Sequence, residues 1–271
     1  MKRYLSFFAA LWFMVSYAFA SETTVAEEQA KRPRLIPQEA GKLSLSSYYD
    51  YGWVHLDSKT GKWGVSTTTL SYTMNDHLTP YLEISALDRF HQIDYTYNTG
   101  TYIKFKDLSS LRAEIGFGSD ITYVYRFQTR LEYAHRLSGS LFWQTGYRYL
   151  NYADNDVFIG YPGLIYYFGD NYVTAFYNVS HTESRGNAQW GTVKGNFALN
   201  DRVSLWLGQA IGQRLYDIEL LPASKQYGYI IFCGVDFKLT RALDLQLGYS
   251  YSMEKPDFIK RSLEFGLSSK F

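Results

Sequence analysis

From residue 42 to the end of the 271-residue chain, apolar and polar side chains alternate in one run after another. The clearest run is YGYIIFCGVDFKL, residues 227–239, where Tyr227, Tyr229, Ile231, Cys233, Val235, Phe237 and Leu239 share a face. In LDLQLGYSY, residues 243–251, Leu243, Leu245, Leu247, Tyr249 and Tyr251 oppose Asp244, Gln246, Gly248 and Ser250. A period of two belongs to β-strands with unlike faces, because successive side chains project to opposite sides. Residues 125–137, YRFQTRLEYAHRL, are ambiguous alone, since Phe127, Leu131 and Ala134 also meet helical spacing. Their surroundings assign them to the strand set. Fourteen strands are predicted, near 42–53, 62–74, 79–89, 91–105, 110–118, 122–135, 139–150, 156–168, 171–180, 187–199, 202–213, 226–239, 243–253 and 258–271, with twelve as the alternative count.

The start of the chain narrows which β-protein this is. MKRYLSFFAALWFMVSYAFA, residues 1–20, has two cations, an apolar run, and small Ala18 and Ala20 before a cut, which is the pattern of a secretory signal peptide. Losing Lys2 and Arg3 takes the formal net charge from +1 to −1, so no basic surplus remains for nucleic acid. Residues 21–41 are polar, contain Pro33 and Pro37, and read as a flexible periplasmic leader. After residue 20 no apolar run approaches the eighteen residues or so that a membrane helix needs. Cys233 is the one cysteine, which excludes an intramolecular disulfide; in phase with Ile231 and Val235 it reads as a small apolar side chain, with an intermolecular bridge as the alternative. Yet Tyr numbers 26 and aromatics make up 18% of a chain whose mean hydropathy is −0.26. An exported chain of this kind is a soluble all-β protein or a transmembrane β-barrel.

The connections favour the barrel. Short polar turns at MNDH, KDLSS, RLSG, FGDN, LNDR and LTRA alternate with longer loops at HLDSKTGK, NYADND, HTESRGN, YDIELLPASKQY and MEKPD. The tight region around Asp88, Arg89 and Phe90 is the exception. Short periplasmic turns and longer extracellular loops are the plan of an outer-membrane barrel. The predicted fold is therefore all-β, a transmembrane antiparallel β-barrel over residues 42–271. Tyrosines near strand ends suit the headgroup level, although the same rings could stack on sugars. In RSLEFGLSSKF, Leu263, Phe265, Leu267 and Phe271 are in phase. A terminal Phe on an amphipathic strand resembles the signal read by the outer-membrane insertion machinery, with Ser269 departing from its commonest form.

The opposite faces supply the candidate lumen residues. Arg112, Glu114, Arg126, Gln128, Arg130, Glu132, Gln144, Arg148 and Glu264 are phased inward, with Asp236 and Lys238 elsewhere. Opposite charges on neighbouring strands can pair and fill a lumen. Arg126, Arg130 and Arg148 could instead form a cationic ladder for an anionic solute. At a predicted outer rim, Ser180, His181, Glu183 and Ser184 gather hydroxyls, an imidazole and a carboxylate, the groups a lipid hydrolase would need. No spacing of His and carboxylates marks a metal site, and no glycine-rich frame marks a nucleotide, so no cofactor is expected.

A resemblance joins these readings. GYRYLNYADNDVFIGYPGLIYYFGDNYVTAFY, residues 146–177, is similar to the YaiO family of outer-membrane β-barrels in Gly146 to Tyr149, Asp154 to Asp156, Gly163 and Tyr166 to Gly169. PYLEISALDRF, residues 80–90, and the surroundings of Gly100 and Tyr102 resemble it too. The resemblance implies a location in the cell outer membrane and a connection with surface or exported polysaccharide. It implies no catalytic residue. The expected function is a pore or export component for polysaccharide or another polar solute. An outer-membrane lipid-modifying enzyme with its site near His181, or a structural or adhesive barrel, are the alternatives. Expected partners are outer-membrane lipid and lipopolysaccharide, the insertion machinery, and polysaccharide.

Overall fold

The computed structural model describes residues 41–56, 59–183, 186–213, 227–255 and 258–271. The predicted signal peptide and nearly all of the predicted leader lie outside the described residues, as does most of the loop YDIELLPASKQY. Among the described residues the regular structure is strand: β1 (Lys42–Leu56), β2 (Lys59–Thr73), β3 (Leu78–Arg89), β4 (Gln92–Lys104) and β5 (Ser110–Ser119). β6 (Phe127–Ser138), β7 (Leu141–Asn151), β8 (Asp156–Gly160), β9 (Gly163–Phe168) and β10 (Asn171–Thr182) follow. β11 (Gly186–Ala198), β12 (Val203–Gln213), β13 (Tyr227–Lys238), β14 (Leu243–Glu254) and β15 (Phe258–Lys270) complete the set.

Each strand pairs antiparallel with its neighbours, and β1 pairs with β15 from Ser44↔Lys270 to Leu56↔Phe258. The sheet is therefore a closed barrel without a free edge. In hydrocarbon an open edge would leave backbone N–H and C=O groups unpaired at several kcal/mol each, so closure is the condition for spanning a membrane. β8 and β9 both lie between β7 and β10 and make one stave, giving the fourteen staves expected. Pro162 separates them because it has no N–H to return the bond that Tyr177 N–H makes to its carbonyl (2.9 Å). Side-chain parity continues through the break, with Val157, Ile159 and Tyr161 buried and Phe158, Leu164 and Tyr166 exposed.

Both β1 and β15 place their terminal residues at one end, here the lower end, whose turns are two to five residues long. Asp107 stiffens one of them by accepting the Ser109 hydroxyl (2.6 Å) and amide (3.0 Å). Those two bonds hold the Asp107 carboxyl below its usual range, so their contribution is present above that range and fades as pH falls through it. Several connections at the upper end are shorter than the sequence suggests, because the strands run past their expected ends. Phe90 and His91 both have positive φ (52° and 68°) and form a two-residue hairpin between Arg89 and Gln92.

The outward face carries Leu43, Leu70, Leu82, Ile84, Leu131, Ile231, Leu247, Leu263 and Phe265, all well exposed. Cys233 is exposed on this face as well. A soluble protein would not present such a continuous apolar band, whereas a lipid-facing wall requires it. Placing a cation in this band tests the reading. Leu131→Arg is expected to lower stability by about 2–4 kcal/mol, and Leu137→Arg, near the lower end of β6, by about 0–1 kcal/mol. Urea unfolding in lipid vesicles, followed by tryptophan fluorescence, measures both.

Candidate functional site

Inside the barrel, the alternation of β3 to β8 aims polar side chains of both signs at one another. Arg112 on β5 gives Nε–H to the Tyr81 hydroxyl (2.9 Å), Nη1–H to Glu132 (3.3 Å) and Nη2–H to Glu114. Tyr81 in turn donates to Glu114, and Gln128 Nε2–H donates to the other Glu114 oxygen (3.1 Å). Arg130 reaches Glu132 (2.6 Å) and the hydroxyl of Tyr161 (3.1 Å), which itself donates to Glu132 (3.0 Å). The Arg148 Nε–H and Nη2–H both donate to Gln128 Oε1 (2.9 and 2.7 Å). These groups are almost wholly buried, so each ion depends on its partners for the solvation that water no longer supplies. Gly146 is required beneath Tyr161, since a Cβ there would stand 2.2 Å from the phenol ring.

Beside this wall lies a cavity of about 850 Å³ that extends from the lower turns, at exposed Asp201 and Arg202, up to Trp63, Arg89 and Tyr123. One side of it is a sheet of hydroxyls and an amide. Ser44 and Ser46 on β1 register with Ser71 and Thr69 on β2, Thr67 registers with Ser85 on β3, and Ser85 with Thr96 on β4. Thr67 and Ser85 are hydrogen bonded at 2.9 Å, and Thr69 donates to Glu83 (3.2 Å). Several of the charges that line the cavity are paired or stacked on a ring, whereas Arg202 and Lys238 are exposed at its lower end. Lys260 lies 3.4 Å from Asp50, and Lys270 lies 3.0 Å from Asp244. Lys194 sits 5.7 Å over the ring of Trp206, whose Nε1–H donates to Asp236 (3.1 Å). Trp206 can lie flat on the wall because Gly234 and Gly248 beneath it have no Cβ.

Beside the upper part of the cavity the lumen is packed. Val54, Leu56, Trp63, Val157, Ile159, Trp190, Ile230 and Phe258 are inward-facing, buried and part of one cluster in the upper half of their strands. The segment 120–126 folds in beside them instead of extending β6. Asp94, fully buried on β4, accepts the backbone N–H groups of Thr122 (3.2 Å) and Tyr123 (2.5 Å). Tyr125 donates its hydroxyl to Asn98 Oδ1 (2.7 Å), and Val124 is buried as well.

Arg112, Glu114, Gln128, Arg130, Glu132 and Arg148 thus meet in one network, and Gln144 is half-buried on the same inward parity. Glu264 is buried on β15, directly opposite Gly248 in register, across the barrel from that network. Asp236 is half-buried, and Lys238 is exposed near the lower end of β13. Arg126 does not join them. Its backbone still bonds Asn151 and Gly118, but its side chain is exposed at the upper rim, where Tyr125 takes the inward position. Sequence reasoning missed Tyr81, Asp94, Asn98, Tyr125 and Tyr161, and the Asp50–Lys260 pair. An apolar inward face is signalled in the sequence by Trp206, Ile230 and Phe232, which stand opposite the apolar faces of their runs.

Among the described rim residues, Ser180 and His181 are not brought together. Ser180 and His181 are consecutive in β10 and therefore face opposite sides: Ser180 is buried in the lumen, whereas His181 is exposed with Nδ1 2.7 Å from Asn187 Oδ1. Glu183 is exposed in the connection beyond, and Ser184 lies outside the described residues. A nucleophile and base on opposite faces of a strand cannot share a proton.

The network makes a quantitative prediction. Glu114→Leu leaves Arg112 short of its closest carboxylate and is expected to cost about 3–5 kcal/mol. The double variant Arg112→Met/Glu114→Leu should lose clearly less than the sum of the two single losses. The same urea unfolding in vesicles reads out the difference.

Comparison with known proteins places the barrel. The CymD monoaromatic hydrocarbon channel superposes with TM-score 0.62 at 8% identity, over 86% of this chain and 89% of that one. The Pseudomonas putida toluene transporter TodX gives 0.59 at 8%, over 93% and 94%. A structure described as a bacterial polysaccharide outer membrane secretin gives 0.59 at 9%, over 86% and 99%. At these identities the likeness is one of fold. Among curated proteins none matches the chain in sequence. Residues 44–214, more than half of the chain, match the YaiO membrane beta barrel domain. With its closed fourteen-stave barrel and lipid-facing wall, the chain belongs to the YaiO family of outer-membrane β-barrel proteins.

Proposed function

We propose that this barrel passes a polar solute, of the saccharide class or similar, between periplasm and cell surface. The observation that carries the reading is the cavity of about 850 Å³ inside a membrane barrel, lined by hydroxyls, amides and charged groups from its lower end upward. A barrel serving only to span the membrane could fill its lower lumen as it fills its upper one. The lower end, with the short turns and both terminal strand ends, is the periplasmic side in this reading. Solute enters there and meets a ceiling made of the apolar cluster and the segment 120–126. Phe271, in phase with Leu263, Phe265 and Leu267, supports handling of the last strand by the outer-membrane insertion machinery. The alternative of a lipid-modifying enzyme gains no support from Ser180 and His181 on opposite faces.

The ceiling is held by bonds that can be removed singly. Asp94 is a charged acceptor for two amides, each such bond contributing roughly 1.5–3 kcal/mol, and every 1.4 kcal/mol or so is tenfold in population. In planar bilayers the wild-type barrel is expected to open rarely. Asp94→Ala, and deletion of residues 121–125, should each raise the open fraction at least tenfold. Silence from both variants, with normal heat-modifiable migration showing them folded, would overturn the passage reading.

A further inference from the structure

We infer that the cavity selects an uncharged, hydroxyl-rich ligand of the oligosaccharide class and disfavours an anionic one; this rests on the passage reading above. The argument begins with the cations. An anionic solute needs positive groups to meet it, and most cations in the middle of the barrel are already engaged, while Arg126 is exposed at the upper rim and Arg202 and Lys238 at the lower end. Arg112 and Arg130 close on Glu114 and Glu132, and Arg148 gives two donors to Gln128. Lys260 faces Asp50 with both groups nearly buried, and Lys270 faces Asp244. A carboxylate or sulfate that reaches Arg112 or Lys260 would have to displace a resident carboxylate, leaving that buried charge uncompensated, or sit unpaired itself. Either outcome costs several kcal/mol.

What the cavity offers in place of free charge is a continuous patch of groups that donate and accept alike. Ser44, Ser46, Thr67, Thr69, Ser71 and Ser85 occupy successive registers across β1, β2 and β3. Hydroxyls rotate to suit either role, so they match the mixed donors and acceptors of a sugar without demanding charge. Rings complete the site. Tyr48, Tyr102 and Tyr172 stand along the same cavity, and an amphipathic ring can cover the apolar face of a sugar while its hydroxyl remains bonded. A volume of about 850 Å³ lies in the usual range for a small-ligand site.

The test measures binding apart from passage. Full-length mature protein in nanodiscs is titrated with maltohexaose, cellohexaose, chitohexaose and, as the anionic counterpart, hexagalacturonate, by calorimetry. At least one neutral hexamer should bind tenfold or more tighter than hexagalacturonate. Thr67→Val/Thr69→Val/Ser85→Ala, which keeps side-chain volume nearly constant, should weaken that binding at least fivefold. Asp244→Asn, which frees Lys270 at the lower end, should narrow the preference by strengthening hexagalacturonate. Tighter hexagalacturonate binding by the wild type, no binding of any neutral hexamer, or an unchanged affinity in the triple variant would each overturn the inference. The bilayer recordings keep the two ideas separate. Conductance in the opened variants without a neutral preference sinks the ligand class alone, and silence there sinks the passage reading.

Discussion

Closure of the backbone ladder is the constraint from which the rest of the molecule follows. A strand crossing hydrocarbon has no water to satisfy its amides, so every one must bond to a neighbouring strand, and the last strand must find the first. β1 and β15 do this over thirteen consecutive registers, Ser44↔Lys270 to Leu56↔Phe258. Once the ring is closed, the two-residue period of the chain becomes an inside and an outside. Leu131 and Ile231 then face lipid for the same reason that Arg130 and Ile230 face the lumen.

A ring of fourteen staves is wide, and its interior must be filled, solvated or used. This protein does different things at different heights. In the upper half Trp63, Trp190, Ile230 and Phe258 pack as a core, with Tyr125 and Val124 brought in by the segment 120–126. Along β3 to β8 a network of arginine, glutamate, glutamine and tyrosine makes a solid wall. Among the described residues an open space runs beside these groups from the lower turns up to Trp63, Arg89 and Tyr123, and its wall is hydroxyl on one side and charged on the other. The division explains how one barrel can be stiff and still hold a cavity: buried ions that satisfy one another resist rearrangement, while hydroxyls remain able to exchange partners.

Much of this architecture was legible in the chain itself, because it depends on local rules. Alternation places Leu243, Leu245 and Leu247 on one face in any antiparallel sheet, and the short turns mark where strands reverse. Residues 156–168 read as one stave despite Pro162, and β8 and β9 do share one place in the ring. The charged faces of β5, β6 and β7 were legible as faces. Their partners were not. Whether Arg148 would meet an anionic solute or Gln128 depends on the register between β6 and β7, in which Gln128 lies opposite Leu150 and Arg130 opposite Arg148. Asp94 and Asn98 were invisible as latches because their partners, Thr122, Tyr123 and Tyr125, are reached only when 120–126 turns inward. Local alternation extends that segment as a strand, and the buried carboxylate of Asp94 overrides it.

By itself, then, the sequence determined that the chain is a set of amphipathic strands with an apolar face for lipid, since a period of two is a property of neighbouring residues. Tertiary structure alone decided what the other face does. It set Arg112, Arg130, Lys260 and Lys270 against Glu114, Glu132, Asp50 and Asp244, put Ser180 and His181 on opposite sides of one strand, and lined up the hydroxyls of β1, β2 and β3. The physical reason is that pairing across a barrel is fixed by register between strands distant in sequence. Lys260 and Asp50 stand 210 residues apart and meet only because the ring closes.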